Sequence, residues 1–107
     1  MRAIEQDALA EYAQTLRLRY PRQVERMVLF GSQARGDARE GSDVDILIVI
    51  ETDERRLKNE ITDLAFDIML KHGVDIEPAI FSREEWATFT AAPTSFAYTV
   101  EQEGREL

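Results

Sequence analysis

The chain has 107 residues, which is enough for one domain with a modest core, and its formal net charge is −8. Its composition is typical of a folded globular protein, and the absence of cysteine excludes disulfides, thiolate zinc sites and thiol nucleophiles. Acidic residues outnumber basic ones 21 to 13 without a basic stripe, so we expect no direct binding to long nucleic acid. No apolar run approaches the ~20 residues of a membrane span, and the N-terminal residues carry no secretion signal, so a cytoplasmic protein is expected.

The predicted elements follow the order α-β-β-α-β-α-α. They are a helix over 3–18, strands over 24–30 and 43–50, a helix over 53–72, a strand over 74–81, a short helix after residue 82 and a helix over 94–103. Gly73 supplies a left-handed end for the longest helix, and Ser82 with Glu85 forms a capping box. Pro78 cannot donate to a strand ladder, which predicts that its strand lies at a sheet edge or carries a bulge.

The second and third strands are joined by a helix, and such a connection between parallel strands is right-handed. It brings the beginnings of both strands to the same edge of the sheet. Asp43 and Asp45 begin one of these strands, and Asp75 and Glu77 begin the other. The topology therefore predicts that these four carboxylates lie close together.

A glycine-containing loop follows the first strand. Gly31 lets the backbone turn sharply beside a ligand, Ser32 adds a hydroxyl donor, and a helical turn from Gln33 would favour an anion. The alternative is an ordinary turn at a strand end. A P-loop is excluded, because Asp37 and Ala38 occupy the positions of its lysine and its serine or threonine.

Asp43 and Asp45 point to one face of their strand, since side chains alternate along it. Two adjacent carboxylates repel each other unless a cation lies between them, and Mg²⁺ prefers such hard oxygen ligands. The alternative is a pair of solvated acids at a frayed strand start. An EF-hand is excluded, because Leu47 stands where that loop requires a third oxygen ligand.

These features form one continuous run. Leu-Phe-Gly-Ser-Gln-Ala-Arg-Gly-Asp-Ala over 29–38 leads through Gly-Ser at 41–42 into Asp-Val-Asp-Ile-Leu over 43–47. A Gly-Ser pair, ten residues and Asp-x-Asp resemble the signature of the polymerase-β-like nucleotidyltransferase superfamily, in particular its minimal nucleotidyltransferases. The resemblance implies a single minimal catalytic domain over 1–107 of the α/β (α+β) class, with a small mixed sheet of about three strands flanked by helices.

The resemblance also implies roles for individual residues. Gly31 and Ser32 hold the triphosphate of ATP, and Asp43 and Asp45 bind two Mg²⁺ ions. A third carboxylate from the later strand completes the metal site and helps to activate the attacking hydroxyl. The residue that matches this third carboxylate is Asp75, with Glu77 as the alternative. Arg35 either contacts a phosphate or faces the solvent.

Minimal nucleotidyltransferases are commonly similar to the antitoxin half of a pair with a helical HEPN-type ribonuclease. The resemblance therefore implies transfer of AMP from ATP to a tyrosine of such a partner. Two alternatives remain: an antitoxin that acts by contact alone, and a nucleotide-binding subunit of a larger acceptor-specific transferase. Trp86, Phe89, Phe96 and Tyr98 are expected to pack in the core or to line a partner or homo-oligomer surface.

Overall fold

The computed structural model describes residues 1–39, 41, 43–92 and 94–107; Ser42, part of the signature run, lies outside the described residues. The elements are α1 (Ala3–Arg19), β1 (Val24–Phe30), α2 (Ser32–Arg35), β2 (Val44–Ile50), α3 (Arg55–His72), β3 (Ile76–Ser82), α4 (Arg83–Ala91), α5 (Ser95–Glu103) and β4 (Arg105–Glu106). The predicted order of the longer elements is confirmed. Within the described ranges, no helix has the length and apolar character needed to cross a bilayer.

The strands form one mixed sheet in the order β3-β2-β1-β4. β2 runs parallel to β3, and β1 runs antiparallel to both β2 and β4. The predicted sheet of about three strands gains a fourth, because residues 105–106 pair with Val28 and Leu29. Two residues are too few to show a strand period in the sequence. β3, which contains Pro78, lies at the sheet edge as predicted.

One face of the sheet is covered by α1 and α3, which pack against alternate residues of β2. The buried stripe of α3 matches its predicted apolar spacing and consists of Leu57, Ile61, Leu64, Ala65 and Ile68. Tyr12 of α1 donates a buried hydrogen bond to the backbone carbonyl of Ile61 at 2.9 Å. Gly73 ends α3 with a φ of 69°, the left-handed conformation predicted for it.

The opposite face of the sheet is partly covered by α4 and α5. An aromatic cluster fills this layer, in which Trp86 is buried and Phe81, Phe89 and Phe96 are half-buried. The predicted capping box begins α4, with reciprocal hydrogen bonds between Ser82 and Glu85. Tyr98 of α5 is 64% exposed. Most of the C-terminal aromatic side chains therefore belong to the core.

Candidate active site

The connection β2–α3–β3 brings three carboxylates together at one edge of the sheet. Oxygen atoms of Asp43, Asp75 and Glu77 all lie within 4.8 Å of one another. The backbone fixes this arrangement, because Val44 donates a 2.9 Å hydrogen bond to the carbonyl of Asp75 and Asp45 is the register partner of Glu77. The predicted convergence of the two strand beginnings is confirmed, and it includes both candidates for the third carboxylate.

The fourth carboxylate, that of Asp45, lies against the glycine that ends β1. A Cβ atom at Gly31 would come within 2.5 Å of Asp45 Oδ2, well inside any tolerated contact. Gly31 also has a φ of 77° and a ψ of −158°, a combination almost restricted to glycine. Glycine is therefore required at position 31 for two reasons, the backbone conformation and the proximity of Asp45.

The charges of these carboxylates are poorly compensated. Partial desolvation raises the pKa of Asp43, and the charge of Asp75 and a hydrogen bond to it raise it further. Burial and the charge of Asp43 raise the pKa of Asp45, and the Arg35 guanidinium partly offsets this increase. Desolvation and Asp75 likewise raise the pKa of Glu77. The group therefore favours a bound proton or a cation.

This donor set fits a divalent cation. Carboxylate oxygens are hard ligands of the type that Mg²⁺ prefers, and the three clustered groups are exposed to an incoming ion. Asp45 adds a fourth carboxylate from the same strand as Asp43, on the side next to Gly31. Of the residues that the sequence indicates as metal ligands, Asp43, Asp75 and the alternative Glu77 therefore form the cluster, and Asp45 lies outside the group of three.

The glycine–serine pair opens directly into α2, a single helical turn. The turn begins at Ser32, one residue earlier than expected, and Gly36 N–H donates to the carbonyl of Ser32 at 3.0 Å. The first N–H groups of a helical turn have no acceptor within that turn. Because Gly31 contacts Asp45, these N–H groups begin beside the carboxylate group.

Arg35, the last residue of α2, is held by two acids. Its Nε lies 3.2 Å from Asp37 Oδ2, and its Nη1 lies 3.4 Å from Glu103 Oε2 at the end of α5. These hydrogen bonds raise the pKa of the guanidinium above its usual range. The side chain is exposed and also acts on the charge of Asp45, so a nucleotide phosphate can reach it only in competition with the two acids.

A second contact of α2 was not predicted. Gln33 is 2% exposed, and its Nε2 donates to Oε2 of Glu5 in α1 at 2.5 Å. Glu5 is itself 4% exposed and also accepts from Arg2. The available signal was the spacing of Glu5 four and seven residues before Leu9 and Tyr12, which places it on the buried stripe of α1.

The sequence of this site matches a known protein family. The profile of the nucleotidyltransferase domain matches residues 9–95, which contain the glycine–serine pair and all four carboxylates. The chain belongs to the nucleotidyltransferase domain family. This nucleotidyltransferase is therefore an enzyme that acts on a nucleotide substrate, and the resemblance drawn from its signature run is confirmed.

Two relatives come from Methanocaldococcus jannaschii, and both are named for an assigned protein adenylyltransferase activity. One is 37% identical over 103 residues, covering 96% of this nucleotidyltransferase and 97% of the relative. The other is 38% identical over 85 residues, covering 78% and 79% of the two chains. The similarity thus extends over almost the whole length of the first relative.

Solved structures share the fold at lower sequence identity. A chain of a toxin–antitoxin complex with AMP-PNP has a TM-score of 0.60 and 21% identity, covering 94% of this nucleotidyltransferase and 69% of that chain. A complex of an MNT antitoxin with a tri-AMPylated HEPN toxin of Shewanella oneidensis gives a TM-score of 0.55 and 18% identity, with coverages of 95% and 70%. These similarities establish the architecture of the nucleotidyltransferase.

Proposed function

We propose that this nucleotidyltransferase transfers AMP from ATP to a hydroxyl group of another protein, in a reaction that requires Mg²⁺. The observation that carries the proposal is the convergence of Asp43, Asp75 and Glu77 within 4.8 Å, beside the Asp45–Gly31 contact. The negative charges of these carboxylates are poorly compensated, so the site can bind divalent cations. An anionic substrate can then bind through those cations, next to the glycine–serine turn. The M. jannaschii relatives, with their assigned protein adenylyltransferase activity, support the same class of acceptor.

Asp43, Asp45 and Asp75 are the proposed ligands of two Mg²⁺ ions, with Glu77 as the alternative third carboxylate. Two such ions supply stabilisation of negative charge on the attacking and leaving oxygens. The exposed oxygens of Asp43 and Asp75 and the deeper oxygens of Asp45 provide the hard ligands that this role requires. The net charge of −8 then presents no obstacle to an anionic substrate, since cations bridge the two.

The chain's own residues orient the substrate for an in-line displacement. Gly31 and Ser32 receive the triphosphate at the start of α2, and Arg35 exchanges an acidic partner for a phosphate oxygen. The acceptor oxygen forms a bond to the α-phosphorus, and its proton passes to the carboxylate of Asp75. The bond from the α-phosphorus to the bridging oxygen breaks with its electron pair, and pyrophosphate leaves.

The proposed acceptor is a tyrosine of a helical HEPN-type toxin, which the modification inactivates. The support comes from the shared fold with the S. oneidensis complex, in which the HEPN toxin is AMPylated and the bound antitoxin is of the MNT class. The residues that the structure describes form one catalytic core, and in this proposal the partner presents the acceptor tyrosine. The nucleotidyltransferase would act in this pair as the antitoxin.

The test is a transfer assay with the purified chain, Mg²⁺ and the purified product of the neighbouring gene, which under this proposal is a HEPN-type protein. We expect label from α-labelled ATP to remain on the partner and label from γ-labelled ATP to leave with pyrophosphate, with AMP mapped to tyrosine by mass spectrometry. Transfer should disappear with EDTA and in the double variant Asp43→Asn with Asp45→Asn.

A matched control is Asp63→Asn with Asp67→Asn, which removes the same charge from exposed positions on α3. This control should retain full transfer. If the site variant neutralises the toxin as well as the wild type does, the protein acts by contact and the enzymatic account of its biology fails. If label appears only when a further protein is added, the chain is the nucleotide-binding subunit of a larger transferase.

A further inference from the structure

The turn that follows β1 is too short to be stable alone. α2 has four residues, and nucleating one helical turn costs more than its hydrogen bonds return. Tertiary contacts must therefore hold it in place. Within the described chain, Ala34 packs against the core and Arg35 pairs with Glu103 of α5. The side chain of Gln33, between Ser32 and Ala34, reaches towards α1.

Gln33 meets a buried acid near the beginning of α1. Its Nε2 lies 2.5 Å from Glu5 Oε2, and the other carboxylate oxygen accepts from Arg2 Nε at 2.5 Å and from the Arg2 backbone N–H at 3.2 Å. These hydrogen bonds, that of Arg2 first, hold the pKa of Glu5 below its usual range despite its burial. The contact joins residues 28 positions apart in the sequence and is almost closed to solvent.

A buried carboxylate is costly to maintain, so its retention needs a reason beyond the packing of its own helix. α1 is held to the core farther along by Ala8, Tyr12 and Leu16, each completely buried. Glu5 provides a charged acceptor on α1 for the side chain of Gln33 in the turn.

We infer that Glu5 is a positioning residue, which acts through Gln33 to set the orientation of the turn over residues 31–36. The direction of the Ser32 and Gln33 N–H groups depends on that orientation, and so does the proximity of Gly31 to Asp45. The consequence for nucleotide affinity rests on the proposed function. The mechanical coupling between α1 and the turn does not.

The coupling is measured by amide hydrogen exchange in the nucleotide-free protein. Glu5→Ala should increase exchange over residues 31–37 while α3 keeps its protection. The matched control is Glu11→Ala, which removes the same side chain from the same helix but whose partners, Lys71 and His72, lie on α3. Equal exchange of the turn in the two variants would overturn the inference, whether or not the protein binds ATP.

The consequence for the substrate is measured as the dissociation constant of a non-hydrolysable ATP analogue with Mg²⁺. We expect Glu5→Ala to weaken binding by about 10- to 100-fold, the scale of a displaced positioning group. Glu5→Gln retains an acceptor for Gln33 and should lose much less. In the transfer assay, the KM for ATP should rise more than kcat falls.

Exchanging the glutamate and the glutamine between positions 5 and 33 distinguishes a lost contact from a folding defect. Gln33→Glu alone places two carboxylates against each other and should weaken binding as strongly as Glu5→Ala. Adding Glu5→Gln restores one amide and one carboxylate with the donor reversed, and should recover most of the affinity. Failure of this rescue in a folded double variant would contradict the positioning role. Absence of nucleotide binding by the wild type would instead reject the proposed function, and the exchange result would still decide the coupling.

Discussion

The carboxylate of Asp45 lies so close to Gly31 that a methyl group at position 31 would come within 2.5 Å of its Oδ2 atom. We expect Gly31→Ala to displace Asp45 or to shift the turn, because the backbone conformation also excludes a side chain. The strain should cost about 1–3 kcal/mol of unfolding free energy. Nucleotidyl transfer should fall by about 100-fold or more, since the groups on both sides of the contact move.

Gly36→Ala is the control for this variant. Gly36 has a φ of 81°, but a Cβ there would meet no atom within 4 Å. Both variants introduce backbone strain, which is larger at Gly31 because of its ψ of −158°, and only Gly31→Ala adds the clash with Asp45. Denaturant unfolding should show a loss of stability in both, and the assay should show severe loss of transfer in Gly31→Ala alone. Comparable transfer rates in the two variants would exclude a role for the contact with Asp45.

The position of the carboxylates could be predicted from the sequence because a general rule of topology fixes it. A crossover between parallel strands brings the beginnings of both strands to one edge of the sheet, and the structure adds the register, in which Asp45 is the partner of Glu77. The depth of Asp45 could not be predicted in the same way. It depends on how far the turn at Gly31 folds over β2, which is a tertiary distance without a local sequence signal.

Two further features depended on contacts distant in sequence. β4 consists of two residues that become a strand only because β1 offers a free edge at Val28 and Leu29. The hydrogen bond between Glu5 and Gln33 joins α1, for which the sequence predicts only an amphipathic helix, to the loop that the sequence predicts as a ligand site. The sequence pattern placed Gln33 in the ligand loop but did not indicate Glu5 as its partner, because a contact between residues 28 positions apart has no local sequence signal.

Removing charge from the carboxylate group should stabilise the metal-free protein. Raised pKa values for Asp43 and Glu77 mean that their ionised forms are less favourable in the folded chain than in the unfolded one. In EDTA at neutral pH, Asp43→Asn and Glu77→Gln should each raise the melting temperature by a few degrees. Mg²⁺ should raise the melting temperature of the wild type and have less effect on Asp43→Asn. A lower melting temperature in EDTA for both variants would contradict this account.

Removing the charge of the buried Glu5 should instead destabilise the protein, and the size of this effect should depend on pH. Its pKa is lowered in the folded chain from an ordinary value of 4.5, so its ionised form stabilises the fold. This stabilisation is fully present above pH 4.5 and is lost as the pH falls through the lowered value. Glu5→Gln should cost about 1 kcal/mol at pH 7, the difference between a charged and a neutral hydrogen bond.

Urea unfolding of the wild type and Glu5→Gln from pH 7 down to pH 3 measures that dependence. The gap between the two stabilities should narrow as the pH falls below the ordinary carboxyl value. Glu11→Gln is a control on the same helix, because Glu11 also pairs with a cation, Lys71, but in a more exposed position. A gap that stays constant over the whole range would show that the charge of Glu5 does not contribute.

We expect Arg35 to bind a phosphate of the nucleotide in place of Glu103. Their 3.4 Å ion pair is exposed, so it is easily exchanged for a phosphate oxygen. Arg35→Ala should weaken binding of the ATP analogue, and Glu103→Gln should strengthen it by about two- to fivefold at low salt. Raising the salt concentration should reduce the effect of Glu103→Gln. Unchanged affinity in Arg35→Ala would assign this arginine to the structural contact with α5 alone.

The two candidates for the third carboxylate can be separated by their positions. Asp75 precedes β3, whereas Glu77 lies inside the strand as the register partner of Asp45. If Asp75 is a metal ligand and accepts the proton of the attacking hydroxyl, Asp75→Asn should lower kcat by about 100-fold or more. Glu77→Gln should leave most of the rate, because under this assignment Glu77 neither binds a metal ion nor accepts the proton. Measured rates in the reverse order, with both variants folded and binding the ATP analogue, would assign the catalytic role to Glu77.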